Sequence, residues 1–284
     1  MKYILLTLLL IANECLANYL QPYSDYVKLE RKKEADLIKN SGFKIRKAYR
    51  TDGVGDNINN LLISKEYFNG KGLLSKFETI DEYGVVQISA VFEYNIEDML
   101  LSIEEKDNFR VLLQKQVFSY DPFSKLRKVS SNGFNDSKLQ TMYFEYIEER
   151  DVAIETIKDS GDAVISYSVH LYDKSFQRII KTTIYDKNDE IDGTKIFYYT
   201  ENGLSGREIY AKDINEPYSI KYENVFNDKK QLIQVRNILF PDKLTVTVNH
   251  SYNDAGLLES TSMFDKDNKP ITKIEYKYFI QDED

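Results

Sequence analysis

The stretch "YNDAGLL", residues 252–258, is the best-preserved copy of a phrase that returns along most of the chain, and its spacing decides the fold. With the aromatic set in register, the copies begin at Phe68, Tyr94, Tyr120, Tyr146, Tyr172, Tyr199, Phe226, Tyr252 and Tyr278, at intervals of 26, 26, 26, 26, 27, 27, 26 and 26 residues. A fixed period of this length means that one supersecondary unit is laid down repeatedly. Asn or Asp follows the aromatic at Asn69, Asn95, Asp121, Asp173, Asn227 and Asn253, and a glycine stands four residues past it at Gly72, Gly203 and Gly256. Asn and Asp bond their own backbone and tolerate the left-handed region that glycine enters freely, so this is a turn. Six residues past the aromatic, Leu74, Leu100, Leu126, Val152, Leu232 and Leu258 open an apolar run, which reads as a strand.

A second turn falls near the middle of each period, at "DEYG" (81–84), "KDN" (106–108), "DSGD" (159–162), "DKNDE" (186–190) and "DKDNKP" (265–270). Two turns of about five residues leave two strands of about eight, an ordinary strand length. Each repeat is therefore a β-hairpin. The expected fold is all-β: an antiparallel meander of about eight 26-residue hairpins forming a long curled sheet over residues 43–284, preceded by a short helical segment within 18–42 that "NSG" (40–42) stops.

The phrases at 252–258, at 120–126 ("YDPFSKL") and at 68–74 ("FNGKGLL") resemble the YD-type repeat of RHS proteins, in which Tyr-Asp precedes a turn glycine and a hydrophobic strand start. The resemblance implies an extracytoplasmic sheet that curls into a strip or shell. The period is longer than the usual family repeat, and the glycine is replaced at Asp98, Ser124, Arg150, Phe176 and Lys230.

Two residues before the recurring aromatics stand Phe92, Phe118, Phe144, His170, Phe197, Asn224, His250 and Tyr276. Side chains alternate along a strand, so these share a face with the recurring rings and form two parallel aromatic columns. His170 and His250 belong to that ladder; three repeats apart in an open sheet, they cannot share a metal ion. The residues just before, Val91, Val117, Tyr143, Val169 and Ile196, are apolar and face the other side, which must then be covered by rolling, by the helix or by a partner.

The first residues combine Lys2, an apolar run from Tyr3 to Ala12 and small residues at Cys15 and Ala17, the layout of a signal peptide (1–17) cut near Ala17. The expected location is therefore periplasmic, cell-surface or secreted. Cys15 is the chain's single cysteine, so no disulfide or thiolate chemistry remains after such a cut. With 46 acids against 38 Lys and Arg, the net charge of −8 excludes a general nucleic-acid surface. Nine Lys or Arg against three acids between Lys28 and Arg50 form one cationic exception, read as a solvated helix face.

The sequence holds no Gly-x-Ser-x-Gly elbow, His-Glu-x-x-His, phosphate-binding glycine loop or Cys-x-x-Cys. "DKNDEIDG" (186–193) lacks the glycine and terminal glutamate of a calcium loop. The expectation is thus a non-enzymatic repeat protein without catalytic residue, cofactor or metal, offering an extended β surface to a protein or cell-envelope component. Carriage of an apolar ligand in the sheet's concavity is the alternative. A third reading, an outer-membrane barrel, rests on the alternation in "ITKIEYKYFI" (271–280), which "TKIFYYT" and "LIQVRNILF" break.

Overall fold

A computed structural model describes residues 25–52, 59–173, 177–211, 218–241 and 243–281. The signal-peptide reading at residues 1–17 and the cut near Ala17 lie outside the described residues. One helix, α1 (Asp25–Ser41), precedes eighteen strands: β1 (Ile45–Asp52), β2 (Asn59–Phe68), β3 (Leu74–Ile80), β4 (Val86–Tyr94), β5 (Leu100–Asp107), β6 (Leu112–Tyr120), β7 (Leu126–Asn132), β8 (Lys138–Ile147) and β9 (Val152–Asp159) make the first half. The second half is β10 (Val164–Tyr172), β11 (Ile179–Asp186), β12 (Ile191–Thr200), β13 (Gly203–Tyr210), β14 (Ile220–Phe226), β15 (Leu232–Leu239), β16 (Lys243–Tyr252), β17 (Leu258–Asp265) and β18 (Pro270–Phe279). Each strand pairs antiparallel with the next, as the meander requires.

The sheet is not an open curled strip. β1 pairs with β2 on one side and with β18 on the other, Ile45 opposite Phe279 through Thr51 opposite Lys273, so the eighteen strands close into a barrel. An even strand count makes the first and last strands antiparallel. Curvature comes from bulges: the register slips immediately before Phe68, Tyr94, Tyr120, Tyr172, Tyr199, Phe226 and Tyr252. A bulge bends its strand and adds right-handed twist, and repetition at one hairpin after another turns a sheet too wide to stay flat back on itself.

The turns at both ends obey one rule. Asn69 Oδ1 accepts the amides of Lys71 and Leu73, Asn95 Oδ1 those of Glu97 and Met99, and Asp121 Oδ1 those of Phe123 and Lys125. At the opposite end Asp81, Asp107, Asp159, Asp186 and Asp265 make the same pair of bonds. The residue three past the Asn or Asp adopts positive φ, at Gly72 (80°) and Gly256 (82°) but equally at Asp98 (65°), Ser124 (64°) and Lys230 (62°). The glycine is therefore dispensable where the side-chain carboxylate or amide already fixes the turn. At Arg150 the pattern changes: Glu148–Arg150 forms a 3-10 turn and Asp151 takes the positive φ (50°). Phe176 lies outside the described residues.

All nine marker aromatics sit at or next to the C-terminal end of an even-numbered strand, hence at one end of the barrel. Their hydroxyls tie neighbouring strands together: Tyr94 donates to the Leu74 carbonyl, Tyr120 to Leu100, Tyr199 to Ile179, Tyr252 to Leu232 and Tyr278 to Leu258, at 2.8–2.9 Å. Phe226 has no hydroxyl, and there Asn224 Nδ2 donates to the equivalent carbonyl, Leu204, at 2.8 Å. The face bearing these rings is buried, with Phe92, Phe118, Phe144, Leu100, Leu126 and Ile38 of α1 in one cluster. It is the barrel's inner face.

α1 closes this end from inside rather than covering the outer wall. Ile38 is fully buried among the rings, and Gly72 meets the helix so closely that a Cβ would stand 2.0 Å from the Ala35 carbonyl oxygen. Arg46 of β1 donates from Nε to Glu66 Oε2 on β2 (3.0 Å) and from Nη1 to Glu34 Oε1 on the helix (3.2 Å), fastening helix to wall. Of the cationic stretch, Lys32, Lys33 and Lys39 are exposed, whereas Arg46 and Arg50 are buried in the wall.

A tyrosine-to-carbonyl tie is worth about 1 kcal/mol. Tyr120→Phe should lower unfolding free energy by about that amount, with far-ultraviolet circular dichroism unchanged. Phe226→Tyr, placed where Asn224 already supplies the donor, should gain nothing in the same denaturant titration.

Candidate functional site: the inner wall of β9 to β14

Beyond the ring layer the inner face turns polar. Register places Ala153, His170, Thr182, Lys195 and Ile209 in one row across β9 to β13, with Arg207 opposite Phe197 on one side and Tyr222 on the other. His170 Nδ1 and the Thr182 hydroxyl are 2.9 Å apart. His170 Nε2 is buried, lies 3.4 Å from Glu155 Oε2 and makes no hydrogen bond. The Arg207 guanidinium carbon sits 4.2 Å from the Tyr222 ring centroid, a cation–π contact. Burial first, and then the Arg207 charge, pull the Lys195 ammonium below its ordinary pKa, while Glu155 pulls weakly the other way.

His250 occupies the corresponding place on β16, its Nδ1 3.0 Å from the Thr261 hydroxyl on β17. The two histidines stand six strands apart along the wall and belong to separate environments. Each is a ladder position in which a ring nitrogen meets a threonine on the next strand. Among the described residues no three His, Cys, Asp or Glu side chains gather as a metal site. Asp186, at the head of the calcium-like stretch, is spent on the amides of Asn188 and Glu190.

The outer face is a different surface. Val91, Val117 and Tyr143 are exposed on it, with α1 lying on the opposite face. Glu104 pairs there with Lys106 (2.6 Å) and Lys115 (3.5 Å), Lys221 with Glu223 (3.1 Å) and Lys273 with Glu275 (2.7 Å). Lys128 and Lys158 flank the Tyr143 ring at 5.7 and 5.2 Å. Charges recur at mid-strand, where a lipid-facing wall would carry an unbroken apolar band and each Lys or Arg would cost about 2–4 kcal/mol.

At the end remote from α1, three successive hairpin tips present exposed rings: Tyr83 (82% exposed) between β3 and β4, Phe109 (81%) between β5 and β6, and Phe134 (59%) between β7 and β8. Val85 and Val111 beside them are exposed as well. Successive hairpins lie about 10 Å apart, so the rings span about 20 Å of rim. Of these rings only Tyr83 falls within a turn read from the sequence (81–84), and that the three share a rim needs the closed register.

No family model matches the chain, and no curated protein matches it. Solved structures similar to it include a porin-like protein from Bacteroides uniformis (8% identity, TM-score 0.44, covering 84% of this chain and 98% of that one) and a porin-like protein from Bacteroides vulgatus (12% identity, TM-score 0.37, covering 81% and 97%). A TcdB2-TccC3-Cdc42 complex is similar over 79% of this chain and 14% of that one, at 11% identity and TM-score 0.33.

Burial lowers the pKa of His250 from its ordinary 6.5. A base held neutral in the fold contributes stability that is intact above its unfolded value and lost as pH falls through that value toward the folded one. His250→Phe should therefore flatten the loss of stability between about pH 7 and pH 5, relative to the unaltered chain. Chemical-denaturation midpoints across that window provide the check; identical slopes in both proteins would show that His250 ionises as freely folded as unfolded.

Proposed function

We propose that the chain is a non-enzymatic interaction scaffold of the cell envelope, built from degenerate YD-type repeats and exported, whose contact surface is the ring-bearing rim of the barrel. The observation that carries this reading is the exposure of Tyr83, Phe109 and Phe134 on three successive tips. Large rings cost free energy in water, and soluble proteins that display several together use them to anchor partners. The mid-strand ion pairs of the outer wall support a barrel standing in water rather than in lipid. Apolar-ligand carriage finds less support, because the apolar part of the inner face is occupied by its own rings and by Ile38. The partner is then a protein or wall component that offers an apolar surface to the rim.

The triple variant Tyr83→Ser, Phe109→Ser, Phe134→Ser tests this by co-sedimentation with envelope fractions of the producing cell. Retention should fall at least about tenfold, the loss of one or two anchoring contacts, with an unchanged melting temperature. Phe123→Ser, an equally exposed ring on the opposite rim, should leave retention intact. Equal retention of the triple variant and the unaltered protein would refute the rim as the contact surface.

A further inference from the structure

Several cations of this barrel reach acids: Arg46 pairs with Glu66 and Glu34, and on the outside Lys106, Lys221 and Lys273 pair with glutamates two residues away. Lys195 and Arg207 differ from these. They face inward on adjacent strands, diagonal to each other across the pairs Lys195 with Ile209 and Phe197 with Arg207, so their Cβ atoms are about 7–8 Å apart or less. Among the described residues, no carboxylate lies at ion-pair distance from either. Glu208, the acid between Arg207 and Ile209, points outward, where it accepts from the Tyr198 and Tyr210 hydroxyls. Glu155 acts on Lys195 only from a distance and is turned to His170.

Two half-buried like charges raise each other's free energy, and an anion between them would relieve both. The pair is also built for one. The Arg207 guanidinium carbon stands over the Tyr222 ring at 4.2 Å, and a ring contact of this kind uses none of the N–H donors that could grip two oxygens. Lys195 adds a point charge from the neighbouring strand. We propose that Lys195 and Arg207 form an oxyanion-binding site on the inner wall, taking the phosphate or carboxylate group of a small ligand between β12 and β13. This site lies on a different surface from the rim, so either reading can fail without the other.

Calorimetric titration of the folded protein with inorganic phosphate, glycerol 3-phosphate and succinate is the test, at low salt. The expected result is binding of at least one oxyanion with a dissociation constant of about 1 mM or tighter, weakened about tenfold or more in Lys195→Gln and in Arg207→Gln, and unchanged in the outer-wall variant Lys106→Gln. Preference for glycerol 3-phosphate over the free ion would assign the site to a phosphate ester, and preference for succinate would assign it to a carboxylate. In isotope-labelled protein the Lys195 side-chain resonance should titrate at higher pH when the site is saturated. Lys195→Gln should melt no lower than the unaltered chain, since it removes a repulsion. The proposal is overturned if none of the three oxyanions binds at about 50 mM, or if Lys195→Gln binds them as well as the unaltered protein.

Discussion

An eighteen-strand sheet left open would end in two rows of unpaired amides and carbonyls, each a template for further strands. This chain removes both rows by pairing β1 with β18. Everything else in the architecture serves that closure. Bulges beside the marker aromatics supply the bend. Asx turns repeated at both ends hold most of the hairpins to one width. Tyrosine ties repeat at a fixed offset of twenty residues and lock strand to strand at the end where α1 enters.

Closure also sorts the side chains. The ring columns turn inward and are sealed by Ile38, so the fold's apolar surface is consumed near the helix. What remains inside is the polar band of Glu155, His170, Thr182, Lys195 and Arg207, and what remains outside is a mixed wall of ion pairs and isolated apolar residues. The apolar residues that do stand together in water are at the hairpin tips, the positions that neither ladder hydrogen bonds nor core packing constrain.

Much of this was legible in the sequence. Nine aromatics at intervals of 26 or 27 residues gave the hairpins, the meander and a common face for the rings, because period-two alternation and turn chemistry are local. Closure entered only through the third reading, the outer-membrane barrel, and could not be derived, since β1 carries no marker aromatic and its pairing with β18 joins residues more than two hundred positions apart. The missing glycines at Asp98, Ser124 and Lys230 suggested decay of the repeat, yet the backbone there keeps positive φ because the preceding Asn or Asp accepts two amides. The helix was expected as possible cover for the outer wall. Its apolar residues Ala35 and Ile38 instead match the ring face, the larger apolar surface available. Lys195 and Arg207 gave no motif at all, for each is one cation in a charged chain until register sets them side by side.

The most direct measurement is formation of a disulfide across the seam, in a chain carrying Cys15→Ser, Tyr49→Cys and Glu275→Cys, positions directly opposite in the β1–β18 ladder. Antiparallel partners have Cα separations of about 4.5–5.5 Å, within disulfide range. In an open strip, seventeen strand spacings would hold them about 80 Å apart. Closure predicts an oxidised monomer, two mass units lighter than the reduced form. Recovery of reduced monomer and intermolecular dimers alone would contradict it.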